Sequence, residues 1–136
     1  MVFDNLIMMI TPTASSVVSG GVLPLSTIAR RTGRVITNSG DSILLNCPGY
    51  YKVIATITFT APAEGDATIS LQKNGVDVPG IIASTTVSTA ETVISSLTLN
   101  GIVRVFPVDS IATLTLVNSG IAIDTSNIEI DVEYLG

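Results

Sequence analysis

The sequence predicts an all-β sandwich, and three observations predict it. Thr, Val, Ile and Ser dominate while strong helix formers are scarce, a bias that suits the pleated, half-buried surface of a sheet. Gly, Pro, Asn and Asp recur at short intervals between apolar runs, as they do where many short strands are joined by tight turns. Two stretches alternate with period two, at 50–59 and at 128–134, so their side chains divide between two faces.

The elements follow in order. Residues 2–10, VFDNLIMMI, read as the first strand, and 11–20 as the loosest stretch of the chain. GVLPLST at 21–27 is short and contains Pro24, which places it at a sheet edge. Arg30, Arg31 and Arg34 fall among turn residues and read as a solvated loop. RVITNSG (34–40) and DSILLNC (41–47) are two further strands, and Pro48-Gly49 breaks the chain before a long strand at 50–60. APAEGD (61–66) is a loop, and ATISLQK (67–73) runs into Asn74-Gly75, the strongest turn signal present. VDVPG (76–80) is a short extension. Residues 81–99 form a long Thr/Ser-rich segment, bent near Ala90-Glu91, and Asn100-Gly101 reads as a second turn. IVRVFPV (102–108), SIATLTLVN (110–118) and SNIEIDVEYL (126–135) bring the total to roughly ten strands.

Alternation assigns faces. Tyr51, Val53, Ala55, Ile57 and Phe59 share one side of the long strand, against Tyr50, Lys52, Ile54, Thr56 and Thr58 on the other. In the last strand Ile128, Ile130, Val132 and Tyr134 oppose Glu129, Asp131 and Glu133. At 102–106, Val103 and Val105 point inward against Ile102, Arg104 and Phe106.

Composition narrows the function. A chain of 136 residues is the size of one domain, read here as spanning 1–136. Charged residues make up 12%, about half the usual share, so part of the surface is expected to be covered by another copy. A net charge of −5 argues against a nucleic-acid partner, which needs clustered Lys and Arg. The segment 1–16 has no basic start, is interrupted by Asp4 and is too short to span a bilayer; it predicts neither a signal peptide nor a membrane partner, and synthesis in a cytoplasm. No histidine is present, which removes the commonest general base and metal ligand and every Ser-His-Asp or Cys-His arrangement within the chain. Cys47, the single cysteine, cannot form an internal disulfide and reads as a small apolar residue at a strand end. Asp109 and Asp124 read as turn residues in loops. No phosphate loop, dinucleotide fingerprint or calcium loop occurs. The expectation is therefore a protein without enzymatic activity, cofactor, catalytic residues or metal site.

Five stretches together carry a resemblance: GGVLPL at 20–25, CPGYYKV at 47–53, GDATISLQKNGVDVPG at 65–80, IATLTLVNSG at 111–120 and the closing EYLG. In this order they resemble the tumour necrosis factor-like jelly roll, which includes the complement globular heads, in its bacterial and phage form. The resemblance covers at least 20–136. It implies a ten-stranded jelly-roll sandwich that forms a homotrimer. It also implies that the first, last, long central and 102–108 strands share the sheet that builds the trimer interface. On that basis Tyr51, Val53, Ile57, Phe59, Ile128, Ile130 and Val132 fill the core. Lys52, Ile54, Ile102, Arg104, Phe106, Glu129, Asp131 and Glu133 then face a neighbouring subunit. Three carboxylates per chain near a three-fold axis repel one another unless compensated. Lys52 and Arg104, the basic residues on neighbouring strands of that sheet, are expected to pair with them, one such pair being worth roughly 4 kcal/mol before desolvation. Two bases against three acids leave one excess charge that a cation at the axis would balance, and the alternative is that these acids simply face solvent.

Two functions from different classes compete. The first is a structural virion protein, a capsid decoration or minor capsid protein that binds the major capsid protein on the head exterior. Residues 1–20 then supply the first strand and a docking segment. The second is a receptor- or glycan-binding head of a fibre or spore-surface protein. The absence of Trp, the usual platform for a sugar ring, and of a Gly-X-Y stalk within the chain favour the first.

Overall fold

The computed structural model describes residues 5–88, 94–109 and 111–136. Eleven strands are present among them, and every pairing between them is antiparallel. They are β1 (Leu6–Thr11), β2 (Ser15–Val17), β3 (Thr27–Thr32), β4 (Ile36–Ser39), β5 (Ser42–Leu45), β6 (Gly49–Thr60), β7 (Gly65–Lys73), β8 (Val76–Val87), β9 (Ser95–Val105), β10 (Ala112–Asn118) and β11 (Ile123–Tyr134). The first sheet runs β3-β1-β11-β6-β9, with β2 also paired to β11; the second runs β4-β5-β10-β7-β8. Strands remote in sequence are therefore neighbours, β1 beside β11 and β5 beside β10.

The inward faces of the two sheets make one continuous apolar core. Alternation places it: Tyr51, Val53, Ala55, Ile57 and Phe59 are each at most 1% exposed, as are Ile128, Ile130 and Val132. Val103 and Val105 are buried beside them. Asn74 and Gly75, at φ 53° and 81°, form the tight turn between β7 and β8, because two successive positive φ values match the twist of the flanking strands. Asn74 also fixes that hairpin to β10: its N–H donates to the Thr113 carbonyl at 2.8 Å, and its Oδ1 accepts from the Thr113 N–H at 2.9 Å.

Several elements differ from the sequence expectation. Residues 21–26 are not a strand; they form an extended segment joined to β10 through the Val22–Val117 bridge. Pro24 has no N–H for a ladder, and side chains take over instead. Thr11 Oγ1 donates to the Pro24 carbonyl at 2.6 Å, and the Leu25 N–H donates to Asp41 Oδ1 at 3.1 Å. Leu23 and Leu25 enter the core from this segment. The strand lies just beyond, so Arg30 and Arg31 sit on β3 rather than in a loop, with Arg34 in the following turn.

Asn100-Gly101 is no turn either. Both residues lie inside β9, opposite Ile54 and Val53 of β6. A Cβ on Gly101 would stand 2.6 Å from Ile81 Cγ1, so the glycine serves the close approach of β8 rather than a reversal of the chain. The loose stretch 11–20 contains β2, and Asp124 lies on β11, where it accepts from Ser16 Oγ at 2.8 Å. The bend expected near Ala90-Glu91 lies outside the described residues, as does the start of the expected first strand.

Candidate functional site

The outward face of the first sheet is where polar, charged and apolar groups meet without cover. Registers define its rows. Leu6, Glu133, Lys52 and Ile102 stand side by side across β1, β11, β6 and β9. In the next row stand Met8, Asp131, Ile54 and Asn100, and in the one after it Ile10, Glu129, Thr56 and Thr98. Tyr50 and Arg104 pair at the end of the sheet, with Phe106 just beyond β9. Lys52, Ile54, Ile102, Arg104, Phe106, Glu129, Asp131 and Glu133 thus lie together on or at the end of this one face. Tyr50, Ile54, Ile102 and Phe106 are 37–53% exposed, a concentration of large apolar side chains that soluble surfaces normally disperse.

A depression of about 360 Å³ lies over β11. Its apolar lining includes Leu6, Met8 and Ile54; its charged rim is Arg30, Lys52, Asp131 and Glu133. Asp131 Oδ1 is buried and, among the described residues, has no hydrogen-bond partner. Burial first, then the negative charge of Glu129, pushes the Asp131 carboxyl above the usual carboxylate range.

Arg104 meets aromatic rings instead of acids. Its guanidinium carbon is 4.5 Å from the Phe106 ring centre and 5.3 Å from that of Tyr50. Lys73 Nζ donates to the Arg104 carbonyl at 2.9 Å and lies 5.4 Å from the Phe106 ring centre. Among the described residues no ion pair joins Lys52 or Arg104 to Glu129, Asp131 or Glu133 within the chain, although Lys52 stands directly opposite Glu133. Nor are Lys52 and Arg104 the only bases near the acidic strand, because β3 brings Arg30 to the same depression. Sequence reasoning missed Leu6, Met8 and Arg30. The signal was present in LIMMIT, apolar at successive positions, the pattern of a strand covered on both sides.

The segment around Cys47 has a structural purpose. Tyr51, fully buried at the ring, donates its hydroxyl proton to the Cys47 carbonyl at 2.6 Å, and the Cys47 N–H donates to the same hydroxyl oxygen at 3.3 Å. Tyr134 Oη donates to the Pro48 carbonyl at 2.9 Å, and the two tyrosine rings lie 4.9 Å apart. Two tyrosines from β6 and β11 thus close over the Cys-Pro-Gly turn and tie down the last strand. Cys47 itself is half-buried. Burial pushes the Tyr51 phenol up to about 12. The folded chain therefore holds this proton where the unfolded chain releases it, so stability is expected to fall as pH rises from about 10 to about 12. Tyr51→Phe removes that decline; urea titrations at alkaline pH measure it.

Among the described residues, no group of three or more His, Cys, Asp or Glu is placed to hold a metal ion. No helix among them is long and apolar enough to cross a membrane.

No family profile matches this sequence, and no curated protein does. Solved structures do. Eiger TNF from S. frugiperda superposes with a TM-score of 0.74 at 11% identity, over 99% of this chain and 94% of that one. The globular domain of zebrafish complement 1qA protein matches at 0.70 and 6% identity, over 97% and 98%. The fold is the tumour necrosis factor-like jelly roll. PRD1 vertex protein P5, from a phage, shares this jelly roll over 100% of both chains, with a TM-score of 0.62 and 14% identity. At these identities the likeness is one of fold, and function in the tumour necrosis factor-like fold has to be argued from the site.

Proposed function

We propose that this chain is a non-enzymatic, homotrimeric structural protein of a phage virion. It is a capsid decoration or minor capsid protein that binds the major capsid protein on the head exterior. The observation that carries the reading is the outward face of the first sheet. Tyr50, Ile54, Ile102 and Phe106 stand exposed there, beside a buried carboxylate oxygen with no hydrogen-bond partner among the described residues. Such a face suits burial against further copies, where apolar area and charge pairing are gained together. Likeness to PRD1 vertex protein P5 over the whole of both chains supports a place in a virion. Val18, exposed just after β2, and Val22, exposed where it bridges to β10, supply an apolar docking element within the first part of the chain. Bridging neighbouring capsomers would add interface area that resists internal pressure.

The test is cosedimentation of the purified protein with undecorated phage heads, after its native mass has been measured by light scattering. A trimer that saturates heads at a symmetry-related copy number is the expected result. A trimer that ignores heads and binds cells or glycans would move the protein to the fibre-tip class, and a monomer would overturn the assembly. Arg104→Ala is expected to weaken the trimer; an unchanged mass and melting temperature would count against this face.

A further inference from the structure

We propose that Arg104 of one subunit seats in the β11 depression of the next copy of this chain and donates to Asp131. This inference rests on the homotrimer reading and names the contact that holds it together.

No donor among the described residues reaches the acid at the centre of the depression. Asp131 Oδ1 is buried and unpartnered, and native proteins rarely leave such an acceptor unsatisfied. Glu129 can share a proton with the Asp131 carboxyl, but no base among the described residues pairs with it. On its own strand the flanking residues on the same face are Glu129 and Glu133, both acidic. From β1 and β6 it is faced by Met8 and Ile54, which carry no charge. Arg30 on β3 and Lys52 on β6 line the rim, yet neither forms an ion pair with it among the described residues.

Arg104 has the matching surplus. Its guanidinium carbon lies over the Phe106 and Tyr50 rings, 4.5 and 5.3 Å from their centres, contacts that use none of its N–H groups as donors to an acid. Among the described residues the Arg104 guanidinium donates to nothing in its own chain. The rings hold the guanidinium in place before any partner arrives, so little side-chain entropy is lost on pairing.

Geometry forbids the pair within one chain and allows it between copies. Arg104 stands opposite Tyr50, and Asp131 opposite Ile54, four residues further along β6. That separates them by about 13 Å along the strands and about 10 Å across them, about 16 Å in all. The two patches differ, so the contact is heterologous and generates a ring when the rotation closes. In a closed three-fold ring the two patches must lie at the same height along the axis, and about 16 Å apart they each stand about 9 Å from it. An acidic strand near the axis is thereby neutralised by its neighbour.

Assembly is then linked to protons. In the free subunit, burial and Glu129 favour the protonated Asp131, whereas Arg104 of the neighbour requires the carboxylate. Association releases a proton, so it strengthens as pH rises through the elevated Asp131 value and levels off above it.

The experiment is sedimentation equilibrium of the full chain from mildly acidic to neutral pH, with far-UV circular dichroism to confirm folding. Wild type is compared with Arg104→Gln, Asp131→Asn and the exchanged double variant Arg104→Asp/Asp131→Arg. Each single variant is expected to weaken association by about 100-fold, the scale on which a buried pair suffers when one partner is lost. Asp131→Asn should also abolish the pH dependence, and the exchange should recover most of the affinity. A wild-type trimer that both single variants reproduce at every pH would overturn the contact and leave the trimer standing. Folded single variants that dissociate without recovery in the folded exchanged variant would overturn the pairing as well. A wild-type monomer throughout would overturn the trimer reading itself.

Discussion

Asn118→Leu is expected to lower the unfolding free energy by about 3–5 kcal/mol, because one buried amide holds a whole end of the sandwich. Asn118 is 0% exposed at the end of β10. Its Nδ2 donates to the carbonyls of Val17 and Val18, both at 3.2 Å, and of Ile121 at 2.8 Å, while its Oδ1 accepts from the Gly120 N–H at 3.1 Å. Its backbone N–H donates to the Gly21 carbonyl at 2.9 Å, and its carbonyl accepts from the Gly20 N–H at 2.6 Å. The side chain thus joins the exit of β2 to the β10–β11 connection, two segments about a hundred residues apart in sequence. Leucine is similar in size and keeps the apolar packing. It leaves the half-buried Gly120 N–H and Ile121 carbonyl without their partner, and each orphaned group costs about 1–3 kcal/mol. Urea unfolding measures the loss. Hydrogen exchange locates it, with faster exchange expected at Gly120 and Gly21 before the central strands respond. A loss below about 1 kcal/mol would mean that water replaces the amide.

Gly49→Ala is expected to cost about 3 kcal/mol. Gly49 sits at φ +141°, a region that side-chain-bearing residues rarely occupy. A Cβ there would stand 2.8 Å from Tyr134 Cε1, 2.9 Å from its hydroxyl and 3.1 Å from the Gly136 carbonyl carbon. The Tyr134 ring cannot retreat without losing its bond to the Pro48 carbonyl and its contact with Tyr51. Backbone strain and ring displacement can be separated. In a Tyr134→Ala background the glycine substitution should cost measurably less than in the wild type, since the obstructing ring is gone. Equal costs in both backgrounds would assign the whole effect to the backbone.

What was legible in the sequence was legible because it is local. Period-two alternation in 50–59 and 128–134 placed the central strands and their buried faces, since the pleat leaves a side chain only two directions. Asn74-Gly75 announced its turn because both residues tolerate positive φ. Asn100-Gly101 carries the same dipeptide and was misleading, because the deciding contact is Ile81, on another strand of another sheet. The segment 21–26 likewise offered Pro24 as an edge-strand mark. Only Thr11 and Asp41, brought to it by the fold, show that side chains replace the ladder there.

The candidate face divides in the same way. The sequence by itself determined that Glu129, Asp131 and Glu133 share one side of their strand, that Lys52 and Ile54 share one side of theirs, and that Ile102 and Arg104 do the same; the family resemblance put those sides on one sheet. Tertiary structure decided the neighbours. It set β11 between β1 and β6, brought Arg30 to the depression, and left Asp131 Oδ1 buried without a partner. It also turned Arg104 toward two rings instead of an acid. Strand direction is a property of consecutive residues, whereas burial and pairing depend on which distant strands lie alongside.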